Sequence, residues 1–139
     1  MIDHAVVRVK DFKKSRRFYE SALQPLGYRV LKELPGFVGL GAGDKADVWI
    51  HQDDAVTKGV HLVFASRDRK SVDAFHAAAL KAGGKDNGPP GIRNYHPAYY
   101  GAFVLDPEPA RSGRPRGPAI KAAARASRGS SGAAGRSAS

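Results

Sequence analysis

The chain has 139 residues, 42% of them apolar, no cysteine and a formal net charge of +10. The missing cysteine excludes disulfides, thiolate zinc sites and a cysteine nucleophile. The charge is unevenly placed: residues 1–108 carry 16 Lys/Arg against 13 Asp/Glu, whereas residues 109–139 carry seven Lys/Arg and no acid. The basic balance is therefore mainly a property of the tail rather than of the part able to bury a core.

The opening MIDHAVVRVK alternates between polar and apolar residues, which predicts a strand over Ile2–Lys10 and excludes a signal peptide. His4, Val6 and Arg8 fall on one face. Ala5, Val7 and Val9, small and apolar, fall on the other and should meet a helix. Asp11 is placed to cap that helix, because its carboxylate can accept from free N–H groups of the first turn. Ser15, Phe18, Tyr19, Ala22, Leu23 and Leu26 recur at helical spacing as the buried stripe, and Pro25 and Gly27 end it. Three short strands follow, at Tyr28–Leu34, Phe37–Gly41 and Ala46–Gln52, with Pro35-Gly36 and Gly43-Asp44 as turns.

The second half repeats the first at an offset of 57 residues. His4 matches His61, Val6 matches Val63, Asp11 matches Asp68 and Lys13 matches Lys70. Phe18 then matches Phe75, Ala22 Ala79, Leu23 Leu80 and Gly27 Gly84. A repeat of this length means one supersecondary unit used twice. The expected elements are a strand over Gly59–Ser66, with His61, Val63 and Ala65 on one face, and a helix capped by Asp68. That helix should bury Val72, Phe75, His76, Ala79 and Leu80. After it come a short strand at Lys85–Asn87, a turn at Gly88-Pro89-Pro90-Gly91, a loop or short strand over Arg93–His96 and a strand over Ala98–Leu105.

Residues 109–139 contain one branched aliphatic residue, Ile120, and no aromatic. Such a segment buries too little surface to offset its ordering entropy, so a disordered tail with a transient helix near Ala119–Ala126 is expected. The second unit then lacks its last strand. The Arg/Ala/Gly/Ser/Pro mixture matches GC-rich coding DNA read out of frame, and translating the neighbouring frames would test a frameshift after Glu108.

IDHAVVRVKDFKKSRRFYESALQPLGY, GVHLVFAS and YHPAYYGAFVLDPE, in this order, resemble segments of the vicinal oxygen chelate superfamily of glyoxalases, bleomycin-resistance proteins and extradiol dioxygenases. The resemblance covers residues 2–108. It implies an α+β fold of two βαβββ modules, about 1–54 and 58–108, forming an open, curled mixed sheet around a divalent metal. His4 and His61 match the first two ligand positions. The third, normally a glutamate on the final strand, has no counterpart; Glu108 is a makeshift candidate. Imidazole ligation is compatible with Zn, Ni, Fe or Mn.

Trp49 and His51 share a face of the fourth strand, and Tyr95 and Tyr99 belong to an aromatic group with Tyr100 and Phe103. These four, with Arg93, are the candidate substrate-binding residues. Arg93 is the candidate grip for an anionic group, since guanidinium pairs with carboxylate or phosphonate in bidentate fashion. His76, in the helix stripe, should be a packing residue, and the role of His96 stays open. The tail has no aromatic residues between its charges to stack on bases, so no specific nucleic-acid partner is expected. No stretch approaches the ~18 apolar residues of a membrane span.

The first functional expectation is a metal-dependent lyase or dioxygenase acting on a small molecule with vicinal oxygens, as a cytoplasmic homodimer. The alternatives are a metal-free, ligand-sequestering protein of the bleomycin-resistance type and an inactive member with a disrupted C-terminus.

Overall fold

A computed structural model describes residues 1–95, 97–108 and 118–124. The first module contains β1 (Ala5–Val9), α1 (Phe12–Leu23), a 3-10 turn (Gln24–Leu26), β2 (Arg29–Leu34), β3 (Phe37–Gly41) and β4 (Val48–Gln52). The second contains β5 (His61–Ser66), α2 (Arg69–Lys81), β6 (Lys85–Ile92), β7 (Tyr100–Leu105) and β8 (Ala119–Ala124). Each module builds one four-stranded mixed sheet, in the orders β1-β4-β3-β2 and β5-β8-β7-β6. The repeat in the sequence is thus a repeat of topology, down to the parallel pairing of the first and last strands. The two sheets do not close into a barrel.

Both helices start where an aspartate can cap them. Asp11 accepts from the Lys14 amide at 3.2 Å, and Asp68 accepts from the Ser71 amide at 2.7 Å. Asp11→Ala should cost about 1 kcal/mol, read as a small drop in the thermal midpoint. The helix stripes lie as the periodicity predicts. Ser15, Phe18, Tyr19, Ala22 and Leu23 are buried on α1, and Ser71, Val72, Phe75 and Ala79 on α2. They meet the apolar faces of the sheets, where Val7, Val9, Val38, Leu40, Ile50 and Val104 are almost fully buried. Leu80 departs from the expected stripe and is exposed.

The two modules join through their helices. Phe18 of α1 reaches Gly84 just after α2, where an added Cβ would come within 2.6 Å of both Phe18 and Val104. The matching glycine of the first module, Gly27, serves another end: it closes the 3-10 turn at φ +87°, a left-handed conformation that other residues rarely adopt. Tyr28 and Phe64 add an edge-on ring contact between modules at 5.4 Å.

A buried polar junction completes the seam. The Tyr19 hydroxyl donates to Asp106 at 2.6 Å, and the Glu108 amide donates to the same carboxylate at 2.6 Å. Glu108 in turn accepts from the Lys10 amide at 3.0 Å and from the Ser15 hydroxyl at 3.4 Å. Burial pushes the Asp106 carboxyl above its ordinary value, against the two hydrogen bonds that favour its ionised form.

Two expectations are corrected here. The second module does not lack its last strand. Residues 119–124 form β8, which pairs with β5 on one side and β7 on the other, and they are neither helical nor structureless. Alanine side chains suffice because β8 is central: Ile120, Ala122 and Ala124 pack on the helix side, and both ladders satisfy the backbone. The rest of the 109–139 tail lies outside the described residues. Gly88-Pro89-Pro90-Gly91 is not a turn between separate elements but lies within β6, whose pairing with β7 shifts at Gly88 and again before Gly91. β6 is an edge strand, and an edge tolerates prolines because their missing N–H groups need no partner.

Candidate functional site

Alternation along β1 and β5 puts one set of side chains against the helices and leaves the other on the open sheet faces. Val7 and Val9 are buried, whereas Val6 is 44% exposed; Phe64 is buried, whereas Val63 is 50% exposed. The expected cavity faces are therefore the open faces.

On the first sheet, His4 directly precedes β1. Its Nδ1 lies 3.1 Å from an Asp3 carboxylate oxygen. Asp3 also pairs with Lys45, and the hydrogen bonds from Lys45 and then His4 hold its carboxyl below the usual carboxylate value. His4 lines a cleft of about 460 Å³ with Asp3, Leu31, Lys45, Ala46 and Trp49. His51, one alternation beyond Trp49, stacks on Phe37 with ring centroids 3.8 Å apart.

On the second sheet a denser group forms around Phe103. Register places Ala119 beside His61 and Lys121 beside Val63, so Lys121 shares the open face with His61. Lys121 is opposite Phe103 on β7. Its ammonium lies 4.2 Å from the Phe103 ring centroid and 4.3 Å from those of Tyr95 and Tyr99, and the residue is only 3% exposed. The Arg93 guanidinium lies 5.5 Å from the same Phe103 centroid, fixed by hydrogen bonds to the carbonyls of Pro89 at 2.6 Å and Ile92 at 3.3 Å. The His61 ring is 6.0 Å from Phe103. Tyr95 and Tyr99 meet edge to face at 5.2 Å; Tyr99 is buried and Tyr95 exposed.

The structure thus gathers His61, Arg93, Tyr95 and Tyr99 into one group and leaves His4, Trp49 and His51 on the other sheet. Glu108 is occupied at the seam by Lys10 and Ser15. Among the described residues no cluster of three His, Asp or Glu side chains is spaced to hold a metal ion. The positions of β8 facing the same way as His61 carry Ala119, Lys121 and Ala123, so this strand offers an ammonium where a divalent ion needs an oxygen or nitrogen lone pair. The described residues of one chain do not fit a divalent metal.

His76 packs in the helix stripe as expected and also bonds Asp86 at 2.9 Å. His96 lies outside the described residues. Lys121 is the site residue that sequence reasoning missed; the one signal near it is Ile120, the tail's only branched aliphatic residue.

The family model of the glyoxalase/bleomycin resistance protein/dioxygenase superfamily matches residues 1–108. No curated protein matches the chain. Among solved structures, a glyoxalase/bleomycin resistance protein from Albidiferax ferrireducens T118 is 28% identical, with a TM-score of 0.73 over 88% of this chain and 97% of that one. A glyoxalase/bleomycin resistance protein/dioxygenase family enzyme from Burkholderia phytofirmans PsJN is 20% identical, with a TM-score of 0.66 over 88% and 97%. A glyoxalase-related enzyme from Fulvimarina pelagi is 15% identical, with a TM-score of 0.67 over 90% and 88%. The last two likenesses speak for the fold alone. With the paired βαβββ topology and the family match over residues 1–108, the chain belongs to the glyoxalase/bleomycin resistance protein/dioxygenase superfamily.

Proposed function

We propose that this protein is a metal-independent small-molecule-binding member of its superfamily, of the ligand-sequestering rather than the metal-dependent lyase or dioxygenase kind. The observation that carries the reading is Lys121. The last strand brings a buried ammonium, enclosed by three aromatic rings, to the face where a third metal ligand would be needed. A cation there repels a divalent ion, whereas aromatic walls with a few fixed polar groups suit an organic ligand. The reading includes a homodimer in the cytoplasm. Val6 and Val63, exposed on the two open faces, support pairing. No helix among the described residues is long and apolar enough to cross a membrane.

Metal loading tests the reading. Purified protein incubated in turn with Zn, Ni, Fe(II) and Mn, then desalted, should retain well under one ion per chain. Near-stoichiometric metal that disappears in the His4→Ala, His61→Ala double variant would overturn it in favour of the metal-dependent enzyme.

A further inference from the structure

All 13 acidic side chains of this protein lie among the described residues, since residues 109–139 contain none and His96 is the only other undescribed position. The ion pairs they form use Asp3, Glu20, Glu33, Asp53, Asp68 and Asp86, and none of these reaches Lys121 or Arg93. Among the described residues, then, neither cation is ion-paired with a carboxylate of the chain. Yet Lys121 is nearly fully buried, and both cations bear on the one Phe103 ring.

Buried charges are ordinarily paired. The faces of Phe103, Tyr95 and Tyr99 offset part of the ammonium's lost hydration, but a ring face neutralises no charge. Arg93 is prepared in a different way. Two backbone carbonyls hold its guanidinium, using part of a group that carries five N–H donors. Two cations on one ring, neither ion-paired with an acid, both gain when an anion arrives. The exposed Tyr95 ring, edge-on to Tyr99, adds a flat apolar surface next to them.

We propose that the Lys121–Arg93 pair, walled by Phe103, Tyr95 and Tyr99, binds an organic anion: a carboxylate or phosphonate carried on a flat apolar body. This rests on the reading of the protein as a small-molecule binder and names the class of molecule it takes. The anion supplies the charge that the chain withholds, and the rings supply the contact for its body. His61, exposed at the edge of the same group, is a further donor toward the ligand.

Binding of benzoate, phenylphosphonate and the neutral isostere benzamide to the full chain, followed by ligand-observed NMR and calorimetry, tests the inference. At least one of the two anions should bind at least tenfold more tightly than benzamide, with affinity falling as salt rises. Whichever anion binds more tightly identifies the head group. Lys121→Met, which keeps length and packing, and Arg93→Gln should each weaken that anion at least tenfold. Lys121→Arg should restore part of the loss. Thermal melts of each variant identify those that are folded, and the half-buried Arg93 position keeps the test usable if Lys121→Met does not fold. Equal binding of benzamide and the anions would overturn the anion inference while leaving a metal-free binder intact. Stoichiometric metal in the loading experiment would instead overturn the reading beneath it. Preference for benzyltrimethylammonium over both anions would also overturn the inference, by making the aromatic group a receptor for external cations.

Discussion

Proline at Ala122 should unfold the second module. Ala122 is in the middle of β8, paired with Phe64 on β5 and with Ala102 on β7. A proline there removes a ladder N–H in a strand that has neighbours on both sides, where proline is essentially never found. It leaves a buried acceptor without a donor, at a cost of about 1–3 kcal/mol, and forces its ring into a site sized for a methyl group, for about 1–3 kcal/mol more. The sum is a large fraction of the roughly 5–15 kcal/mol that holds a domain folded. Ending the chain after Glu108 should do at least as much damage. It removes Ile120, Ala122 and Ala124 from the core and leaves β5 and β7 with unpaired edges.

Trp49, the only tryptophan, sits in the first module, so its fluorescence follows that module while far-ultraviolet circular dichroism follows both. The Ala122→Pro chain should lose helical and strand signal at temperatures where the wild type keeps it. The tryptophan transition should follow at lower temperature than in the wild type, because α1 packs on α2. A truncated chain that melts like the full one would mean that β8 is not part of the fold.

That strand marks the limit of what the sequence makes legible. Where a segment carries its own pattern, the sequence places it within a few residues. Phe37–Gly41 is found at its expected bounds, and both helices begin after their expected caps. The faces of β1 and β5 were legible for the same reason, since alternation alone separates Val7 and Phe64 from Val6 and Val63. AIKAAA has no such pattern. Alanine favours helices and buries little, so local preference points away from a strand, and only the two ladders supplied by β5 and β7 make one. Lys121 was hidden with it. The prolines of β6 spell a turn locally, because sequence does not reveal which strand is at an edge. The clustering of Arg93, Tyr95 and Tyr99 was legible as composition, but their common centre, Phe103 opposite Lys121, depends on a register that only the fold provides.

The seam between modules carries the second large effect. Tyr19→Phe should destabilise the protein by about 1.5–3 kcal/mol near neutral pH, the range for a hydrogen bond to a charged group. The ring stays and still packs edge-on against Phe18 at 5.1 Å, so the loss belongs to the hydroxyl. Without it one oxygen of the buried Asp106 carboxylate has no donor, and only the Glu108 amide remains. Burial already raises the Asp106 carboxyl above its ordinary value, with the neighbouring Glu108 adding to the rise. The bonds from Tyr19 and from the Glu108 amide act the other way, as does Lys14, and removing the Tyr19 bond raises it further.

A carboxyl raised in the folded state takes up its proton before the unfolded chain does as pH falls. This group therefore opposes folding most above its folded-state value, and the opposition fades as pH drops toward the ordinary carboxylate value. The difference between wild type and Tyr19→Phe should shrink as pH falls from the variant's folded-state value to the wild type's, because the unfolded chains cancel and a protonated Asp106 loses less by lacking the donor. Urea denaturation of both proteins at neutral pH and at mildly acidic pH measures that difference directly, cancelling the carboxylates they share. A gap that stays constant or widens on acidification would show that Asp106 does not hold its charge at this seam.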